Sequence, residues 1–513
     1  MALSIFTLQN NGLIATIIIF HLRREPLFEL IKSLSMTEKS YFRKRSKSFA
    51  GGQSQYLLLF DEIQAMDVYD EQKLKSKIGE KHFAQYKKHL HSKILESLRQ
   101  YHSEHSVEAK ISARIQEYNI LKAKGLNQDA QKALLKAQKL AISNQRMADA
   151  MKIGKYEGEL VKESNDVGQL DRHFLKYLES AQHIHGIIRQ QIELEKVHVE
   201  IVKWHKTLEW VRTDREKLEL ERIVKGSVQV QVIQENKEAE SQRQYIHGLR
   251  YYFLGEFEKS YQSFNRQLTL YEADLSLRED ELNFVRCLGN NALLSLFTGN
   301  EDYNEHYLFL NDLKLKNVSA SHYQSVLNIL LMTIDLCKKK KYKQACNWIK
   351  QYVTEIASFD QEVVDLNTSY NEFTLMSFYR VNAFLGNGEP KEALKAINNY
   401  LNNAQKSLKK DTYALARIIN LLVHIELENY DLLEYELNTT EQHLKTKSYI
   451  RPFEQKSVAF VRSMLKENSK ASKLVHLKSY RNALKELKES KYEHVIFQFF
   501  DFIHWAKSSL ENK

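Results

Sequence analysis

Proline and glycine are scarce in this chain, with 3 Pro and 16 Gly in 513 residues, against ordinary usage of about 5% and 7%. A β-sandwich or an α/β enzyme of this length needs many turns and glycine-rich loops, and that supply excludes both. Cysteine is nearly absent as well. Cys287, Cys337 and Cys346 form no C-x-x-C, and their odd number argues against a disulfide framework. A reducing, cytoplasmic setting is the simplest expectation. The apolar run Gly12–Phe20 is preceded by Gln9-Asn10-Asn11, so it falls short of the roughly 20 apolar residues that a spanning helix needs. Arg23 and Arg24 follow that run, whereas a signal peptide carries its positive charges in front. Residues 1–24 are therefore expected to be an extension outside the folded unit, as a start codon assigned too early would give, with a weak membrane anchor as the alternative.

Charge of a single sign is lacking too. The net charge is +10, but 65 acidic residues are interleaved with 75 basic ones. Mixed signs along helices read as solvated faces carrying (i, i+4) pairs. Catalytic signatures are missing as well: no phosphate-binding loop, no dinucleotide glycine fingerprint, no nucleophile elbow and no H-E-x-x-H. His89 and His91, like His183 and His185, stand two apart, and residues two apart on a helix point to different faces. Asp431, Glu434 and Glu436 lie among basic residues on a helical face, and the three cysteines sit among apolar residues as small hydrophobes. The expectation is a non-enzymatic protein with no metal site, no catalytic residue and no cofactor.

What the chain does contain is helix formers. Leu, Lys, Glu, Gln and Ala recur throughout, and an all-α fold follows. Pro26 is placed as the first residue of a helix over PLFELIKSL. Ser35-Met36-Thr37-Glu38 reads as a capping box opening a second helix that Gly51-Gly52 ends. A third helix is read over SQYLLLFDEIQAM. Asp70 caps a short fourth, stopped by Gly79, and a long fifth has Phe83, Tyr86, Leu90, Ile94 and Leu98 on one face. These form a helical module over 25–105.

Beyond it a spacing pattern keeps returning. Its clearest copy is Gly248, Tyr251, Gly255, Phe257, Ser260, Tyr261 and Phe264. Further copies carry Gly125, Ala130, Leu134 and Ala137; Tyr342, Ala345 and Ile349; Gly388, Ala393 and Ile397; Tyr430, Leu433 and Leu437; and, with an insertion, Leu288-Gly289 and Tyr303. Small residues let paired helices approach while larger ones interdigitate around them. No single pair can bury its own apolar face, so neighbours must stack. The pattern resembles the tetratricopeptide repeat over about half the chain, and the whole is similar to a group of large bacterial degenerate-repeat proteins of unknown role. The resemblance implies an α-solenoid of helical hairpins, with degenerate repeats over 106–240, better ones over 241–445 and C-terminal capping helices over 446–513.

In that family the first helix of each hairpin lines a concave binding face. Carried over by position, this places Tyr245, Leu249, Tyr252, Arg286, Asn290, Phe378 and Asn382 in a groove for a protein or peptide. Arg286 and Asn290 match half of a carboxylate clamp, while Leu327 and Leu331 stand where its second half would be. The same aromatic positions also suit a core. A competing reading makes the 25–105 module a helix-turn-helix on a transcriptional regulator whose solenoid is the sensor. Its DNA contacts would be Lys81, His82, Gln85 and Lys88 at the start of the fifth helix, with Arg43, Lys44 and Arg45 on phosphates.

Overall fold

A computed structural model of the chain describes residues 25–49, 55–103, 106–144, 146–162, 167–229, 236–366, 370–403, 410–446, 451–467 and 469–511. Among them there are helices and connecting turns and no strand, so the protein is all-α. No described helix is long and apolar enough to cross a membrane. The expected extension 1–24 and the Gly51-Gly52 stop lie outside the described residues. The chain divides into two compact units, Met1–Ile184 and His185–Lys513.

The first unit opens with α1 (Pro26–Ser33), α2 (Met36–Phe49), α3 (Gln55–Ala65), α4 (Glu71–Ile78) and α5 (Phe83–Ser103). Pro26 starts α1, where its missing N–H is no loss. At α2 the capping box forms as the spacing requires. Ser35 N–H donates to Glu38 Oε2 at 2.8 Å, and Glu38 N–H donates to Ser35 Oγ at 3.2 Å. Asp70 accepts from Lys73 N–H at 3.0 Å, and Gly79 closes α4 with φ of 101°. The five helices share one core around Phe28, Phe42, Phe60, Leu74, Phe83 and Ile94. Then follow α6 (Val107–Ala123), α7 (Asn127–Ser143), α8 (Met147–Lys162) and the first part of α9 (Val167–Thr207), with α6 on α7 and α7 on α8.

The second unit continues from α9 into α10 (Asp214–Gln229), α11 (Lys237–Phe253), α12 (Phe257–Ala273), α13 (Glu281–Thr298), α14 (Tyr303–Asp312), α15 (Val318–Lys338), α16 (Tyr342–Gln351), α17 (Val353–Leu366), α18 (Tyr370–Gly386), α19 (Pro390–Asn403), α20 (Lys410–Glu426), α21 (Tyr430–Thr446), α22 (Pro452–Lys466), α23 (Lys470–Lys488) and α24 (Phe502–Glu511). Neighbours in sequence are neighbours in space. Within hairpins α11 packs on α12, α13 on α14, α18 on α19 and α20 on α21. First helices also meet across hairpins, α13 with α15, α15 with α18 and α20 with α22. The small residues perform the close approach expected of them. Ser260, Ala345 and Ala393 are fully buried, and Ser260 Oγ donates to Gly248 O across the α11–α12 hairpin at 2.8 Å.

One turn recurs in both units. Gly125, Gly255, Lys340, Gly388 and Glu428 each take φ between 56° and 75°, two residues ahead of the next helix. At Gly255 the N–H donates to Tyr252 O at 3.0 Å and the next N–H, of Glu256, to Tyr251 O at 2.9 Å. The pairs at Lys340 (to Cys337 O and, from Lys341, to Leu336 O) and at Gly388 and Glu428 repeat this pattern. It is the Schellman closure, which satisfies the last helical carbonyls. Glycine adopts that conformation freely, whereas Lys340 and Glu428 accept a cost of roughly 1 kcal/mol to do so.

The C-terminal aromatic segment does more than cover the last hairpin. Phe502 packs on Phe453 and Trp505 on Phe460. A 3₁₀ turn over His494–Gln498 also reaches back to earlier hairpins. Tyr379 Oη donates to Gln498 O at 2.7 Å, Phe499 stacks near Trp210 at 4.8 Å, and His494 Nε2 stands 3.2 Å from Gly255 O. Beside it lies a buried charge cluster, in which Arg212 meets Glu454 and Glu493 at 2.6 and 2.5 Å with Asp411 at 3.7 Å.

Candidate functional site

Ion pairs along the helix faces engage acidic and basic side chains in both units. Lys93–Glu96, Lys132–Asp129, Lys196–Glu193, Lys203–Glu200, Lys259–Glu256 and Lys395–Glu392 are pairs three residues apart, open to solvent, and water screens such pairs so that they add little to stability. Among the described residues no group of three or more His, Cys, Asp or Glu side chains is placed to hold a metal ion. Cys287, Cys337 and Cys346 are buried free thiols. Burial pushes each of them up from its ordinary pKa, Cys346 to about 11, which suppresses the thiolate that reactivity needs.

A small, mainly apolar cleft with a few polar groups lies where α11, α13, α15 and α18 come together. A cavity of about 70 Å³ there is lined by Leu249, Tyr252, Asn290, Tyr323, Leu327 and Glu372, among others. Gly289 faces Leu327 of α15. A Cβ on it would stand 2.6 Å from Leu327 Cδ1, so a side chain there would displace that methyl group from the cleft. Tyr323 Oη donates to Glu372 Oε1 at 2.5 Å, and the Arg286 guanidinium lies 5.7 Å from the Tyr323 ring centre, within cation–π range. Arg286 is exposed, while Tyr245, Leu249, Tyr252 and Asn290 are half-buried. Burial raises the phenols of Tyr245, Tyr252 and Tyr323 above their usual value, with Arg286 opposing the rise at Tyr245 and Tyr323 and Glu372 adding to it at all three. They are neutral hydrogen-bonding groups.

Five of the seven groove residues are thus gathered in one neighbourhood, and two are not. Phe378 is fully buried, with Tyr400 at 5.2 Å and Phe499 at 6.3 Å between ring centres. Its placement on a binding face is corrected, because at this position α18 turns toward α19 rather than toward the cleft. Asn382 is occupied within the chain: its Oδ1 accepts from Asp501 N–H at 3.1 Å and its amide donates to Phe499 O at 3.4 Å. It anchors the C-terminal segment. Tyr323 and Glu372 were missed. Both lie a turn or more nearer the helix N-termini than the carried-over positions Leu327 and Phe378.

In the first unit Lys81, His82, Gln85 and Lys88 are all exposed around the start of α5, and Lys44 is exposed on α2. Arg43 differs. It donates to Asp61 at 2.6 and 3.1 Å and to Gln64 at 2.9 Å, tying α2 to α3. Arg45 is half-buried. Lys87, which sequence reading passed over, is engaged by Glu25 at 2.7 Å and Glu71 at 3.3 Å.

No protein-family model, curated protein or solved structure matches this chain.

Proposed function

We propose that the protein is a non-enzymatic scaffold, a tetratricopeptide-like solenoid whose concave face, lined by first helices, holds a protein or peptide partner in the cytoplasm. The observation that carries the reading is the cleft around Tyr252, Asn290 and Tyr323, with exposed Arg286 at its edge. An apolar partner side chain enters the small cavity. Arg286 pairs with a partner carboxylate at the rim, and the Tyr323–Glu372 pair sets which partner groups are accepted. Buried aromatic anchors with a polar rim are the usual energetic arrangement of such interfaces. The test is affinity capture by the full chain from native lysate, compared with Arg286→Glu and Tyr252→Ala. One polypeptide at unit stoichiometry, lost from the variants, is expected. Equal recovery by all three sinks the reading.

A second reading, a DNA-binding regulator, is favoured by one observation: Lys81, His82, Gln85 and Lys88 are exposed together after the turn between α4 and α5. It requires that the full chain bind random duplex DNA at low salt, and that replacing Lys81 and Lys88 by Ala reduce the salt slope by about 1 each. Absence of low-salt binding ends it.

A further inference from the structure

A larger cavity, of about 450 Å³, lies where the ends of α13 and α15 and the middle of α18 meet the C-terminal segment. That volume falls within the range of small-molecule sites. Phe297, Tyr379 and Phe500 give it aromatic walls, and Lys338, Lys488 and Asp501 give it charge. Lys338 Nζ stands 5.1 Å from the Phe297 ring centre and donates to the neutral amide oxygen of Gln498 at 3.0 Å. Among the described residues neither lysine has a carboxylate partner at ion-pair distance. The Asp501 Oδ1 caps α24 by accepting from His504 N–H at 3.0 Å, which fixes the carboxylate at a helix N-terminus while its charge still reaches Lys338. His494 also lines the cavity, but its ring is held between Ser490 O and Gly255 O, at 3.2 Å each.

Two ammonium groups against one carboxylate leave one uncompensated positive charge facing an aromatic recess. The Lys338 ammonium is pushed down to about 8, first by lost hydration between the walls, with Asp501 opposing and Lys488 adding repulsion. Lys338 is still open to water, because the cavity is concave and not closed. A single excess charge matches a monoanion and not a phosphate dianion, and the aromatic walls match an apolar body.

We propose that this cavity binds a small amphipathic carboxylate, with the carboxylate between Lys338 and Lys488 and the apolar body against Phe297 and Phe500. The site is separate from the partner cleft and does not depend on it. Because hairpins and C-terminal segment both wall the cavity, the ligand holds the segment onto α15 and α18, and occupancy raises the melting temperature.

The test is isothermal titration calorimetry of the full chain with 4-phenylbutyrate and its neutral analogue 4-phenylbutyramide. Saturable one-site binding of the acid is expected, with the amide at least about tenfold weaker. Lys338→Gln with Lys488→Gln weakens the acid to the level of the amide and leaves the amide unchanged. Asp501→Asn, which keeps the cap because Asn caps as well as Asp, tightens the acid several-fold. Circular dichroism verifies that each variant is folded. No saturable binding of the acid, equal binding of acid and amide, or an undiminished double variant overturns the proposal.

Discussion

Arg212 and Glu454 stand 242 residues apart in the chain and meet as a two-pronged pair, with Nη1 to Oε1 at 2.6 Å and Nη2 to Oε2 at 2.9 Å. Both side chains are essentially inaccessible to water. The same guanidinium reaches Glu493, so three distant segments share one cation. Removing it strands buried carboxylates, a change that costs about 3–5 kcal/mol. Arg212→Met should therefore lower the urea midpoint of the second unit sharply. Adding Glu454→Gln and Glu493→Gln in that background should restore most of the loss. All four tryptophans (Trp204, Trp210, Trp348 and Trp505) lie beyond residue 184, so their fluorescence follows this unit alone.

Asp411 completes that cluster and gives it a pH dependence. Burial pushes its carboxyl up to about 7, against the pull of Arg212 and with a further push from Glu216 and Glu454. The folded state thus holds the proton more tightly than the unfolded chain, whose carboxyl titrates near 4. The stability from that proton is full below about pH 4 and is lost as pH rises to about 7. Asp411→Asn is neutral throughout. Between about pH 4.5 and 7.5 the variant should gain on the native protein by on the order of a few kcal/mol in tryptophan-monitored urea unfolding. A gap that stays constant over that range contradicts this.

Gly248 is needed for the α11–α12 approach. A Cβ there would stand 2.6 Å from Phe264 Cζ, inside the core. Gly248→Ala gains about 1 kcal/mol of helix propensity but meets an overpacking cost of about 1–3 kcal/mol. The clash wins, and the thermal midpoint should fall. In the Phe264→Leu background the same substitution should be neutral or stabilising, because the ring that it strikes is gone.

Glu428 holds φ of 56° at an exposed hairpin turn. Glycine is free of the steric cost there, so Glu428→Gly should stabilise the second unit by roughly 0.5–1 kcal/mol, measured by the same urea titration. The same change at Glu434, within α21, should destabilise it.

Local features were readable in the sequence because local spacing determines them. The Ser35–Glu38 box, the Asp70 cap and the turns at Gly125, Gly255 and Gly388 all depend on residues within a few positions of one another. The turns at Lys340 and Glu428 have the same backbone but lack the glycine that signals it, and only their aromatic neighbours Tyr342 and Tyr430 gave them away. The Arg212 cluster was not readable. A lone arginine in a charged stretch gives no sign of partners more than 200 residues away. Phe378 misled for a related reason: a position fixed relative to a turn does not specify which neighbour the helix faces when helix lengths vary. The cleft was half legible, since Tyr252 and Asn290 follow the repeat register and Tyr323 and Glu372 depart from it.

The central claim, that partners dock on the first-helix face beside Arg286, is tested most directly by site-resolved photo-crosslinking. p-Benzoylphenylalanine would replace Asn283, exposed beside Arg286 on α13, in one sample and Lys395, exposed on the second helix α19, in another, so that Arg286 itself is kept. Irradiation in intact cells should then give a discrete covalent adduct with one polypeptide from position 283 and none from position 395. Absence of an adduct at 283, or the same products from both positions, contradicts the account.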